Sequence, residues 1–202
     1  MATHALPDLV RPPVWDIEDG HDYLTLRIWD VALPPLVVVG MNPGKPQTTS
    51  SYVGQYIQRA TLIAVRFGFG GLTLLNHWTI AESDSTRALA APVKVGPRAD
   101  AVLHEVLAAH RGVPVLGAWG DAVAHVDDLC GYRVRLFLDL AAEYDRTILC
   151  VGVNGGSGQP RHLSWFRPFV LDNLQLLAWP SGDPALGPVA ADAIPAADSF
   201  GS

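Results

Sequence analysis

The sequence predicts a single α/β domain, a three-layer α/β/α sandwich with a mostly parallel central sheet. Three observations carry that expectation. Short β-branched apolar runs alternate with helical stretches along 202 residues that are 49% hydrophobic and 17% charged, the pattern of a sheet wound through helices. The runs are continuous, as strands buried on both faces are. Four of them end in polar, Gly or aromatic residues, where open α/β sheets place their ligands.

The elements follow in order. Tyr23 to Trp29 alternates and reads as an edge strand or hairpin arm. Leu36 to Gly40 is the first buried strand, closed by a Pro-Gly turn. Tyr52 to Phe67 spaces Ile57, Leu62, Ile63 and Val65 as a helix does, and Gly71 to Asn76 is the second strand. After the helix-starting Gly96-Pro97, residues Asp100 to His110 put Val102, Val106 and Leu107 on one face. Val113 to Ala118 and Thr147 to Val153 are the third and fourth strands. Asp121 to Leu129 and Trp165 to Ala178 are the remaining helical stretches. There are no internal repeats.

The domain is expected to span residues 1–179. Residues 180–202 hold four Pro, three Gly and three Asp without a Lys or Arg, too few large apolar groups to offset ordering entropy. They read as a flexible acidic tail. Of the net charge of −6 the tail carries −3, leaving 17 acidic against 14 basic residues in the body. A body so nearly neutral does not coat nucleic acid, yet it can hold a local basic cleft. No apolar run reaches the roughly 18–20 residues of a membrane span, and no secretory signal is read at the start. The two cysteines, Cys130 and Cys150, argue against a disulfide scaffold and fit a reducing cytoplasm. They are too few for a four-cysteine zinc site, and His104, His110 and His125 share no metal spacing. Oligomeric state is not encoded in any pattern here.

The strand ends are the places to look for chemistry. Gly40-Met41-Asn42-Pro43-Gly44 brings backbone N–H groups and one amide side chain to the crevice, with Lys45 beyond it; an ordinary strand-to-helix turn uses the same residues. Asn76 offers a donor and an acceptor to one planar edge, beside His77 and Trp78, or it caps the following segment. Asn154-Gly155-Gly156-Ser157-Gly158, followed by Arg161 and His162, suits a loop wrapped around a ligand. Arg161 is placed to meet a phosphate and His162 to donate to a developing negative charge; the bland alternative is a surface loop with a half-buried histidine.

These strand ends, in this order, resemble the uracil-DNA glycosylase superfamily. Its mismatch-specific branch has a Gly-Ile-Asn-Pro-Gly turn like Gly40 to Gly44, then a Leu-Leu-Asn strand end like Leu74-Leu75-Asn76. A Trp-Gly follows, like Trp119-Gly120, and a loop with His and Leu-Ser, like His162-Leu163-Ser164. The chain is also similar to the family called domain of unknown function 1643, on Gly96-Pro97-Arg98-Ala99-Asp100 and Gly158-Gln159-Pro160-Arg161-His162-Leu163. It departs from that family at Gly44-Lys45-Pro46-Gln47, where Ser-x-Ala-Asp is usual, and at Leu163, where Pro is usual.

The glycosylase resemblance implies a DNA enzyme that flips a modified pyrimidine into the crevice and cleaves its N-glycosidic bond. Asn42 would orient water and His162 would stabilise the departing base, chemistry that needs no metal and no cofactor. Asn76 would read the base edge, and Phe67, Phe69 or Trp78 would stack on it. Lys45, Arg161, Ser164 and Arg167 would hold DNA, with Trp165 or Phe166 filling the gap in the stack. The alternatives are group transfer or hydrolysis in phage DNA base hypermodification, and a nucleic-acid or nucleotide binding module without catalysis.

Overall fold

The computed structural model describes residues 5–44, 54–121, 128–167, 171, 174–179 and 188–189. The chain opens on a hairpin of β1 (Val14–Glu18) and β2 (His21–Ile28). Its two-residue loop, Asp19-Gly20, has φ of 49° and 80°, the positive pair that a tight hairpin turn requires and that Asp-Gly tolerates. Then follow β3 (Pro35–Gly40), α1 (Gln55–Arg66), β4 (Gly71–Asn76), α2 (Ser85–Ala90), α3 (Ala99–Ala109) and β5 (Val115–Gly117). The chain continues with α4 (Asp128–Glu143), β6 (Ile148–Cys150), β7 (Leu176–Trp179) and the two-residue β8 (Pro188–Val189).

The strands form one sheet in the order β1-β2-β4-β3-β5-β6-β7-β8. This sheet is mixed, not mostly parallel as the sequence predicts. The three pairings among β4, β3, β5 and β6 are parallel. The four that add β1, β2, β7 and β8 are antiparallel. The cause lies in the connections. Only crossovers long enough to carry a helix return a strand parallel, whereas β2 and β1 are joined by a two-residue turn. The expected helix over Trp165 to Ala178 is also corrected, since Leu176–Trp179 pairs with Ile148–Cys150. Two residues of the expected tail, Pro188 and Val189, pair with β7; the rest of 180–202 lies outside the described residues. The helix expected over Asp121 to Leu129 falls largely on residues 122–127, which lie outside the described residues; α4 itself runs from Asp128 to Glu143.

Alternation along the buried strands divides the core. Val37 and Val39 pack with Val115, Ile148, Val102, Leu103 and Leu107 of α3, and Val134, Phe137 and Leu140 of α4. Leu36 and Val38 pack with Leu72, Leu74, Leu116, Leu149, and Ala60, Leu62, Ile63 and Ala64 of α1. Each fully buried Leu or Val contributes roughly 1.5–3 kcal/mol, and the strands that carry them are apolar on both sides for this reason. From β3 the chain passes to β4 on one side, then crosses to β5 on the other. The crevice of such a sheet opens where the order reverses, here between the carboxyl ends of β3 and β5.

One buried cation ties α3 to this frame. Arg146 donates from Nε to the Val113 carbonyl at 2.7 Å, and from Nη1 to those of Leu107 and Val106 at 3.1 and 3.2 Å. It thus satisfies carbonyls that the end of a helix leaves open. Burial lowers its pKa to about 10, so it stays charged at neutral pH. Arg146→Met should leave these acceptors unpaired and cost about 2–4 kcal/mol, read as a lower urea midpoint at unchanged slope.

Candidate functional site

The site begins where β3 and β4 end side by side, Gly40 opposite Asn76 in parallel register. A Cβ at position 40 would lie 2.6 Å from Asn76 Oδ1 and 2.8 Å from the Tyr56 hydroxyl. Only glycine lets the amide of β4 and the tyrosine of α1 approach the same point of backbone. The two strand ends are then laced together: His77 N–H donates to the Gly40 carbonyl at 3.0 Å and Trp78 N–H to that of Met41 at 2.8 Å. Met41 is buried in the core. Asn42 is fixed by its Nδ2, which donates to the Glu82 carbonyl at 2.7 Å and to that of Pro43 at 3.3 Å. Its Oδ1 has no partner among the described residues. Pro43 is buried and Gly44 exposed, while Lys45 lies outside the described residues.

The other side of the crevice is built by the segment after β6. Gly120, at φ 78°, donates its N–H to the Pro160 carbonyl at 3.0 Å. A Cβ there would lie 3.1 Å from His162 Cβ, so the left-handed turn and the close approach both select glycine. The glycine-rich loop is pinned as a turn. Gly158 N–H donates to the Asn154 carbonyl at 2.8 Å and Asn154 N–H to that of Gln159 at 2.9 Å. Ser157 Oγ donates to the Asp121 carboxylate, and Trp119 Nε1 to Gln159 Oε1 at 2.8 Å. Arg161 Nε is spent on the Val153 carbonyl at 2.9 Å. Asn154, Ser157 and Arg161 Nε thus hold the loop in shape, and the loop in turn holds His162.

His162 is set up as a neutral donor. The backbone N–H of Ser164 donates to His162 Nδ1 at 3.1 Å, and Ser164 Oγ lies 2.9 Å from the same atom. A backbone amide can only donate, so Nδ1 is unprotonated and the ring proton sits on Nε2. Burial first, and the Arg59 guanidinium second, push the imidazole pKa below its ordinary value. Arg59 stands on α1 and donates to the Leu163 carbonyl at 3.0 Å and to Gln55 Oε1 at 3.2 Å. The His162 ring lies 5.1 Å from that of Tyr56, tilted by 32°. Asn76, Tyr56, His162 and the Gly40 turn therefore form one continuous wall.

Several expected residues do not join it. Phe67 and Phe69 are buried in the α1-side core, next to the amino end of β4, roughly 17 Å of strand from Asn76. Trp78 is only 1% exposed and packs in the opposite core, so it offers no face to a ligand. Phe166 is buried as well. Trp165, by contrast, is 69% exposed, and Arg167 is exposed beside it. Tyr56 and Arg59 are the residues that sequence reasoning missed. A usable signal was present, because crossover helices begin at the carboxyl edge of the sheet, so the first turns of α1 had to overhang the crevice.

His77 braces the floor. It is 1% exposed, edge-on to Trp119 at 4.8 Å and to Phe137 at 5.8 Å. Its carbonyl accepts from Arg133 Nε at 3.0 Å, and Arg133 is paired with Asp100. Burial, with Arg133 adding to it, lowers the His77 pKa to about 3. A histidine neutral when folded and titrating near 6.5 when unfolded stabilises the fold above that pH. The contribution is lost as pH falls from about 6.5 towards 3. His77→Phe should flatten this part of the stability-versus-pH curve, measured by denaturant titration at each pH. For His162, the ring 15N shifts should show the Nε2–H form at pH 7 and a midpoint below the ordinary ~6.5.

Among the described residues, no group of three or more His, Cys, Asp or Glu is placed to hold a metal ion. None of their helices is long and apolar enough to cross a membrane. Neither the curated proteins nor the solved structures contain a match to the chain. A family described as protein of unknown function (DUF1643) matches residues 23–162. That span takes in β3, β4, β5 and β6, the Gly40 turn and His162, more than two thirds of the chain, and the protein belongs to this family.

Proposed function

We propose that this protein is a uracil-DNA-glycosylase-like enzyme that takes a flipped, modified pyrimidine of DNA into the crevice and hydrolyses its N-glycosidic bond. The observation that carries the reading is His162: an imidazole whose Nδ1 accepts from the Ser164 amide, leaving its proton on Nε2, beside Tyr56 and the Gly40–Asn76 strand ends. Support for a three-layer glycosylase-like fold comes from the parallel strands, ordered second-first-third-fourth, and from helices packed in both core clusters.

The chemistry follows from the groups present. As the bond from the anomeric carbon to the base nitrogen breaks, its electron pair moves into the base and negative charge gathers on a ring carbonyl. His162 Nε2–H donates to that oxygen, and being neutral it stabilises the charge without surrendering the proton. Asn76 reads the base edge through its amide. Asn42, immobilised through Nδ2, has Oδ1 left to accept a hydrogen bond from water and aim the water at the anomeric carbon. An amide has no useful basicity, so the water attacks after the bond is largely broken. The water proton ends on the departing base. Trp165 is the exposed aromatic able to fill the emptied stack, with Arg161 and Arg167 near the phosphates. Flipping costs a few kcal/mol.

One observation favours a second reading, a base-binding module that does no chemistry: the group in the water-orienting position is an amide and not a carboxylate. Oligonucleotides carrying uracil or 5-hydroxymethyluracil separate the two. The enzyme leaves an alkali-labile abasic site, Asn42→Ala abolishes it while sparing binding, and His162→Ala slows it about 10²–10³-fold. Binding without any abasic product supports the module, and a mass change in the base on an intact backbone supports the hypermodification alternative. Affinity for the oligonucleotide should fall steeply with salt; a flat dependence would instead favour a free nucleotide as ligand.

A further inference from the structure

Tyr56 carries an unexplained polar atom. Its hydroxyl is buried and has no hydrogen-bond partner among the described residues. Such groups are rare in native proteins because each forfeits the hydrogen bonds that water gave it in the unfolded chain. Its position is defined on three sides. The hydroxyl lies against the Cα of Gly40, as does Asn76 Oδ1, and the ring leans on His162 at 5.1 Å. Burial raises its pKa, so the group keeps its proton and stays a donor at every physiological pH.

Three neutral groups thus meet at one end of the sheet: the Tyr56 O–H, the His162 Nε2–H and the Asn76 amide. The Tyr56 hydroxyl has no hydrogen-bond partner among the described residues, and the nearest cation, Arg59, is engaged with the Leu163 carbonyl and Gln55. Neutral donors in a half-buried wall match an uncharged, planar ligand rich in acceptors better than an anion such as phosphate. We propose that Tyr56 is a specificity-determining residue of this site, its hydroxyl the fixed donor on which a carbonyl oxygen of the bound base docks beside Asn76. The inference rests on the crevice taking a nucleobase and does not require that it cleave one. Gly40 is part of the same device: any side chain there would occupy the point at which the tyrosine and the amide converge.

The test uses the full chain and Tyr56→Phe, which keeps the ring against His162 and removes only the oxygen. Thermal melts are measured without ligand, and binding of free uracil, thymine, cytosine, adenine and guanine is followed by amide chemical shifts. Removing an unpaired buried hydroxyl should raise Tm by about 2–4 °C, the shift expected per kcal/mol for a chain of this size. The same change should weaken the carbonyl-bearing base that binds wild type by about tenfold, the loss of one hydrogen bond. A lower Tm would show that the hydroxyl has a partner in the free protein and overturn the proposal. So would a raised Tm with unchanged affinity, which leaves the nucleobase reading standing. If wild type binds none of the five bases, the nucleobase reading falls and this inference with it.

Discussion

The bare Cα of Gly40 is the constraint on which the crevice depends. At the last residue of a strand buried on both faces, any Cβ would stand within 3 Å of both the Asn76 amide and the Tyr56 hydroxyl. The parallel register that places Gly40 opposite Asn76 makes the contact unavoidable, because side chains at paired positions share a face. Omitting one side chain therefore determines where two others meet. The strand pays little for the glycine, since it lies at the strand's end and not in its interior.

Across the gap the same economy is reached by different means. Gly120 turns through a conformation open to few other residues, and so brings Pro160 and His162 onto the end of β5. The backbone hydrogen bonds of the 154–159 turn and that of the Arg161 side chain are internal to the loop, while Trp119 and Asp121 tie it to the end of β5. The Ser164 amide then chooses the histidine tautomer. Electrostatics complete the arrangement: burial and the Arg59 cation both disfavour the imidazolium. The histidine is therefore a donor by construction and not by the accident of ambient pH.

Much of this was legible in the sequence, for identifiable reasons. β4 is read to the residue, Gly71–Asn76, because a continuous apolar run is punctuated by Gly and Asn. Asn42, Asn76 and His162 stand out because each directly follows or closes such a run or its loop. The helix expected over Trp165 to Ala178 gives way to β7 because Leu174, Leu176 and Leu177 fit a helical or an extended spacing equally. Pairing with β6 decides between them, and pairing is not local information. Phe67 falls outside the crevice: sequence proximity to β4 does not reveal which end of the strand it adjoins. Tyr56 and Arg59 look like ordinary residues of a helix face, and only the direction of the crossover makes them part of the site.

The mixed character of the sheet has a consequence for how the molecule meets its own kind. A parallel core left open at both sides would present two long rows of unpaired amides and carbonyls to any neighbouring chain. Here the outer positions go to β1 and β8. The first carries exposed Val14 and Ile17, an inviting template for another strand, yet its register slips between Asp16 and Ile17. Asp16 and Glu18 bring charge to the same edge, held by Arg98. The second is two residues long and begins with a proline, which has no amide proton to offer. The antiparallel additions thus act as selvages, finishing the fabric at both sides so that it does not extend into a fibre.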